Sequence, residues 1–156
     1  MTTKKTLVGQ TLCCLSFCGL CLCANAASTW YVAENGDDVN NDGKSPTAPF
    51  KSIQKGIDSA SNYDTVEIAD GTYIITAPLT LDGKAVELKS ASMDPSKVTV
   101  DAQRQCICVS NGTTTCNNII NSITFQNGYS SVGEKVAGGI FSLSKTLVTN
   151  CVVRNC

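Results

Sequence analysis

Asp38-Val39-Asn40-Asn41-Asp42-Gly43 is the stretch whose residue types and spacing come closest to metal chemistry. It fits the first half of the D-x-[DN]-x-[DN]-G calcium loop, with Asp38, Asn40 and Asp42 as ligands. Calcium takes about six to eight oxygens, and alternating side chains around a glycine bend supply several of them. The bidentate glutamate of the twelfth position is replaced by Pro49, which favours the other reading, a solvated turn rich in Asp and Asn. Calcium is the one cofactor these residues suggest.

Composition closes off other chemistry. The chain has no histidine, which removes Ser-His-Asp and Cys-His catalysis and every His-ligated metal site. Twelve basic residues against 13 acidic ones give no electrostatic footprint for nucleic acid. With 42% hydrophobic and 16% charged residues in 156, the chain is one ordinary folded domain rather than a disordered segment.

The first 26 residues read as a secretory leader. Lys4 and Lys5 precede an apolar run from Leu7 to Cys23, and Ala24-Asn25-Ala26 is an A-x-A cleavage site. The apolar run is short for a membrane span, so no span is expected after cleavage. Five of the ten cysteines fall in this leader. The others are Cys106, Cys108, Cys116, Cys151 and Cys156. Cys106 and Cys108 stand too close for the usual zinc pair, and export favours oxidation, so a structural disulfide is preferred to a metal. An odd number leaves at least one thiol over.

The elements that must position these residues are mostly strands. Thr29 to Ala33 is a short β-prone run, and 35–49 is a polar loop. Phe50, Ile53, Ile57 and Ala60 recur at helical spacing, predicting a helix of about three turns with Pro49 in its first turn. Beyond Asn62 the pattern is short turn-bounded strands: 65–69, 72–76, Leu79 with Leu81, Val86 with Leu88, Val98 with Val100, 106–109, 119–126 and 147–154. Ser122–Gly128 lies over Asn150–Cys156, setting Ile123 over Cys151, Phe125 over Val153 and Asn127 over Asn155. Such a repeat favours stacked rungs over a sandwich, with asparagine amides laddering at the corners. Gly138-Gly139-Ile140-Phe141 would lead into an intervening strand.

Four blocks in one order carry a family resemblance. They are Trp30-Tyr31-Val32-Ala33; Asn35-Gly36-Asp37-Asp38 with Asp42-Gly43-Lys44-Ser45; Pro49 to Ile57 (PFKSIQKGI); and Asp64 to Tyr73 (DTVEIADGTY). In these blocks the chain resembles the N-terminal portion of secreted proteins of the pectin-lyase-like superfamily. The resemblance implies an all-β fold, a right-handed parallel β-helix, or solenoid, with a short N-terminal capping helix. It implies a leader over 1–26, a strand, loop and cap over 27–62, and rungs over 63–156. Cys156 falls inside a strand repeat, so the rungs are expected to be incomplete, their last edge bare and prone to association.

The resemblance also frames the function. Lyases on this fold use an Arg or Lys base beside calcium-binding carboxylates. Lys84, Lys89, Lys97, Arg104 and Arg154 are the candidate bases, and Asp70, Asp82, Glu87, Asp94 and Asp101 the candidate carboxylates. They form no lyase motif, and solvated charges on the rungs explain them better. No catalytic residue is assigned. Asn111-Gly112-Thr113 is either a glycosylation sequon or a turn. The expectation is an exported β-helix, secreted or at the cell surface or outer membrane, presenting a face to polysaccharide or to another surface. An adhesin-like passenger is one form of it. The alternative is the N-terminal part of a pectate-lyase-like lyase or a glycoside hydrolase.

Overall fold

The computed structural model describes residues 26–81, 83–112, 116–130 and 138–156. The expected leader lies outside the described residues apart from Ala26, as do Asp82 and the polar run 113–115 with the sequon threonine. In chain order the elements are β1 (Thr29–Val32), α1 (Ile53–Ser59), β2 (Thr65–Ile68), β3 (Gly71–Ile74), β4 (Leu79–Thr80), β5 (Glu87–Ser90) and β6 (Val98–Asp101). They continue with β7 (Val109–Asn111), β8 (Asn117–Asn121), β9 (Thr124–Gln126), β10 (Ile140–Ser142), β11 (Lys145–Thr149) and β12 (Val152–Arg154).

The strands form three sheets in which every pairing is parallel. The first sheet runs β1-β2-β5-β8-β11, the second β3-β6-β9-β12 and the third β4-β7-β10. From β2 onward the chain visits first, second and third sheet in rotation, so each circuit lays its strands beside those of the circuit before.

Alternation within the strands explains the core. In β2 and β5 every second residue is buried. Register then stacks like on like, about 4.8 Å apart. Val66, Leu88, Ile120 and Val148 form one column, and Tyr73, Val100, Phe125 and Val153 a second. Leu79, Val109 and Ile140 form the third. One continuous core results, with Phe125 its largest fully buried side chain.

The repeat read from Ser122 and Asn150 is present at that register, with Val153 beside Phe125 and Arg154 beside Gln126. Its corners also repeat in backbone conformation. Ser122 and Asn150 lie at φ 59 and 48, and Asn127 and Asn155 at 55 and 56. Left-handed residues cannot continue a strand. The single strands expected over 119–126 and 147–154 therefore each divide into two. Asn150 Nδ2 donates to Ser122 Oγ at 2.9 Å, linking successive corners. At the other corner Asn127 Nδ2 donates to Asp101 Oδ1 at 3.0 Å, so that amide turns to a carboxylate rather than to an asparagine. The strand expected over 106–109 is displaced to Val109–Asn111. Gln103 and Arg104, at φ 47 and 60, keep the preceding segment in turns.

The helix is shorter than its apolar spacing suggests. Ser52 is its N-cap, accepting from the Lys55 amide, which leaves Pro49 and Phe50 outside. The Pro49 carbonyl instead accepts from Asp37 N and Asn41 Nδ2. Phe50 bridges Val32 in parallel, and its ring stacks on Trp30 with centroids 6.0 Å apart. The loop before α1 thus closes the outer edge of β1: Tyr31 N donates to the Gly43 carbonyl, and Phe50 N to that of Tyr31. Ile53, Gly56 and Ile57 are buried, and α1 packs on β1, β2 and β4. Gly56 permits the close approach, since a Cβ there would lie 2.9 Å from both Val32 Cγ2 and Val66 Cγ1. Gly56→Ala gains helix propensity of about 1 kcal/mol but overpacks two stiff β-branched side chains at about 2 kcal/mol. A net loss of about 1 kcal/mol is expected in urea unfolding. A raised midpoint would contradict this packing.

Asp64 is buried and ties this end together. Its carboxylate accepts from Ser28 N, Ser61 N and Trp30 Nε1 at 2.7, 2.8 and 3.0 Å. At the opposite end β10, β11 and β12 are outermost in their sheets, and Leu147 is 60% exposed. No helix of the described residues is long and apolar enough to cross a membrane.

Candidate functional site

The expected calcium ligands share one loop but turn to different partners. Asp38 Oδ1 accepts from Lys51 N and Ser52 N at 2.8 and 3.0 Å, joining the loop to the start of α1. Asp42 Oδ1 accepts from Lys44 N. Asn40 donates its side-chain amide to Asp37 Oδ2, while Asp37 Oδ1 takes the amides of Val39 and Asn40. Asn40's side-chain and backbone amides hold the Asp37 carboxyl below the usual range. Burial works to raise that of Asp38, and the amides of Ser52 and Lys51 outweigh it. Among the described residues no three His, Cys, Asp or Glu side chains group as a metal site.

The candidate bases and carboxylates mostly separate into local structural pairs. Lys84 Nζ donates to the carbonyls of Ile57 and Asp58, at the end of α1. Lys89 pairs with Glu67 at 2.9 Å on the outer face of the first sheet, where such a bridge adds at most about 1 kcal/mol. Glu87 accepts from Thr65 Oγ1. Asp94 accepts from the amide and hydroxyl of Ser96, and its carbonyl accepts from Lys97 N. Asp70 is exposed at the bend just before β3.

Asp101 and Arg154 are brought together. On the outer face of the second sheet, register stacks Asp101, Gln126 and Arg154 on successive circuits. Gln126 Nε2 donates to Asp101 Oδ2 at 2.8 Å, and Arg154 Nε donates to Gln126 Oε1 at 2.9 Å. The order follows from the groups: a carboxylate only accepts, an amide does both, and a guanidinium only donates. Gln103 N and Asn127 Nδ2 complete the hold on Asp101. The Asn127 amide, with those of Gln103 and Gln126 and the charge of Arg154, overcomes partial burial and keeps its carboxyl below the usual range.

At the corner that follows this ladder is a surface hollow of about 590 Å³ lined by Arg104, Asn127, Tyr129, Asn155 and Cys156 among others, and Asn127, which donates to Asp101, is the residue the two share. Tyr129 is 47% exposed. The Arg104 amide donates to the Asn127 carbonyl. Gln126 and Tyr129 carry no motif and were not singled out by sequence reasoning. The signal for Gln126 was available: it stands one residue before Asn127, as Arg154 does before Asn155.

The arrangement suits holding a ligand. A lone carboxylate, ionised at neutral pH and engaged by three donors, is a poor proton donor. Arginine, asparagine and tyrosine residues line the hollow, and their side chains are of the kinds that recognise hydroxyls and carboxylates. No family model, curated protein or solved structure matches the chain.

Proposed function

We propose that this chain is an exported right-handed parallel β-helix of the pectin-lyase-like kind. It acts outside the cell or at its surface, and holds an acidic polysaccharide without cleaving it. The rotation of the chain through three parallel sheets supports the architecture. Parallel crossovers are right-handed in nearly all proteins, which supports the hand. The A-x-A leader supports export.

One observation carries the binding reading: Asn127 joins the Asp101–Gln126–Arg154 ladder to the neighbouring hollow lined by Arg104 and Tyr129. Two arginines, Arg154 at the end of the ladder and Arg104 in the lining of the neighbouring hollow, favour a uronate-bearing chain over a neutral one, because guanidiniums pair with carboxylates in bidentate fashion. Isothermal titration with polygalacturonate, and with dextran as the neutral control, tests it. Binding to polygalacturonate alone is expected. Arg154→Ala removes a charge-assisted contact of about 2 kcal/mol, and the affinity falls more than about tenfold. Equal binding of both polymers, or none of either, overturns the reading. Release of unsaturated uronate products would instead establish the lyase alternative.

A further inference from the structure

The five cysteines among the described residues form no disulfide with one another, yet two of them converge. Register places Cys156 over Gly128 of the preceding circuit, and Gly128 N donates to Cys156 Sγ at 3.3 Å. Cys108 is buried, and its Sγ lies 3.1 Å from where a Cβ on Gly128 would stand. Both sulfurs therefore lie against Gly128, a residue without a side chain to separate them. Cys151 is engaged at another corner, against the carbonyls of Ile120 and Thr149.

We propose that Cys108 and Cys156 are the pair that oxidises, forming a disulfide that staples the end of β12 to the segment leading into β7. The oxidant is a small-molecule disulfide such as oxidised glutathione. The Cys156 thiolate attacks one glutathione sulfur and expels the other half as a thiolate, leaving a mixed disulfide on the exposed residue. The Cys108 thiol then loses its proton, and its sulfur attacks Cys156 Sγ. The second glutathione leaves as a thiolate and takes up a proton. Two protein thiols are oxidised, and one glutathione disulfide is reduced to two thiols. Burial, with the Cys156 sulfur beside it, pushes the Cys108 thiol up to about 12. The second step is therefore the slow one at neutral pH and accelerates as pH rises. Cys156 and Gly128 line the same hollow, but the assignment rests on the sulfur geometry and not on saccharide binding.

The test incubates the folded full chain with oxidised glutathione, blocks remaining thiols with a maleimide, and maps unreduced tryptic peptides by mass spectrometry. Cleavage after Arg154 leaves Asn155-Cys156 as a dipeptide, and cleavage after Arg104 and Lys135 leaves 105–135. The expected product is that dipeptide joined to 105–135, with fragmentation placing the bond on Cys108. Cys156→Ser, a change at an exposed position, should abolish the link. Cys108→Ser should leave glutathione attached to Cys156. A bond from Cys156 to Cys106 or Cys116, a bond that excludes Cys156, or complete maleimide labelling of the folded chain after oxidation each overturns the proposal.

Discussion

Replacing Phe125 by alanine is expected to remove about 4 kcal/mol of stability, measured as a fall in the urea midpoint with little change in slope. Its ring is fully buried between Val100 and Val153, one circuit to either side. The strands carrying those neighbours are hydrogen-bonded at fixed spacing, so they cannot close on the cavity. Against a domain stability of about 5–15 kcal/mol, one side chain accounts for a large part of the total. Ile119, which faces outward from β8 and is 38% exposed, provides the contrast. Its alanine variant should change stability by about 0.5 kcal/mol. Equal losses at the two positions would mean that the inward and outward faces have been assigned wrongly.

Asp64→Ala should lose about 3 kcal/mol, because it strands two backbone amides and the Trp30 indole. It also sets a pH dependence. Burial works to raise this carboxyl, but the amides of Ser28 and Ser61, the indole and the charge of Lys84 outweigh it, so its folded value is depressed. The stabilisation is therefore complete above the unfolded value of about 4 and is lost as pH falls through the lower folded value. Unfolding free energy measured from neutral to acidic pH should decline along this limb. Asp64→Asn should start lower and decline less. An identical acid limb in both proteins would remove Asp64 from the account.

The alternation of Val66 with Ile68, Val86 with Leu88 and Val98 with Val100 made the inward faces legible, because a strand with one buried face must repeat every two residues. Laying Asn127 over Asn155 gave the register of the last two circuits and pointed to their left-handed corners. Where strands stop was harder to read. Ser122 and Asn150 look like strand residues in sequence, and only the bend between sheets reveals their role. The helix was overestimated for a related reason. Phe50 falls at helical spacing from Ile53 and Ile57, but its burial comes from pairing with Val32. Of the ladder, the overlay already set Gln126 over Arg154, but Asp101 stands on an earlier circuit outside that repeat and meets them only through stacking.

The passages from the second sheet to the third differ widely in length: they span 75–78, 102–108 and 127–139, the last partly outside the described residues. The strands on either side nevertheless keep parallel register. Length is absorbed at this corner and nowhere propagated into the stacked columns. Foreign peptide spliced into it would meet the same tolerance, which makes the corner a natural graft point. Arg104 and Tyr129 are carried on these same passages, so the lining of the hollow can change without disturbing the interior.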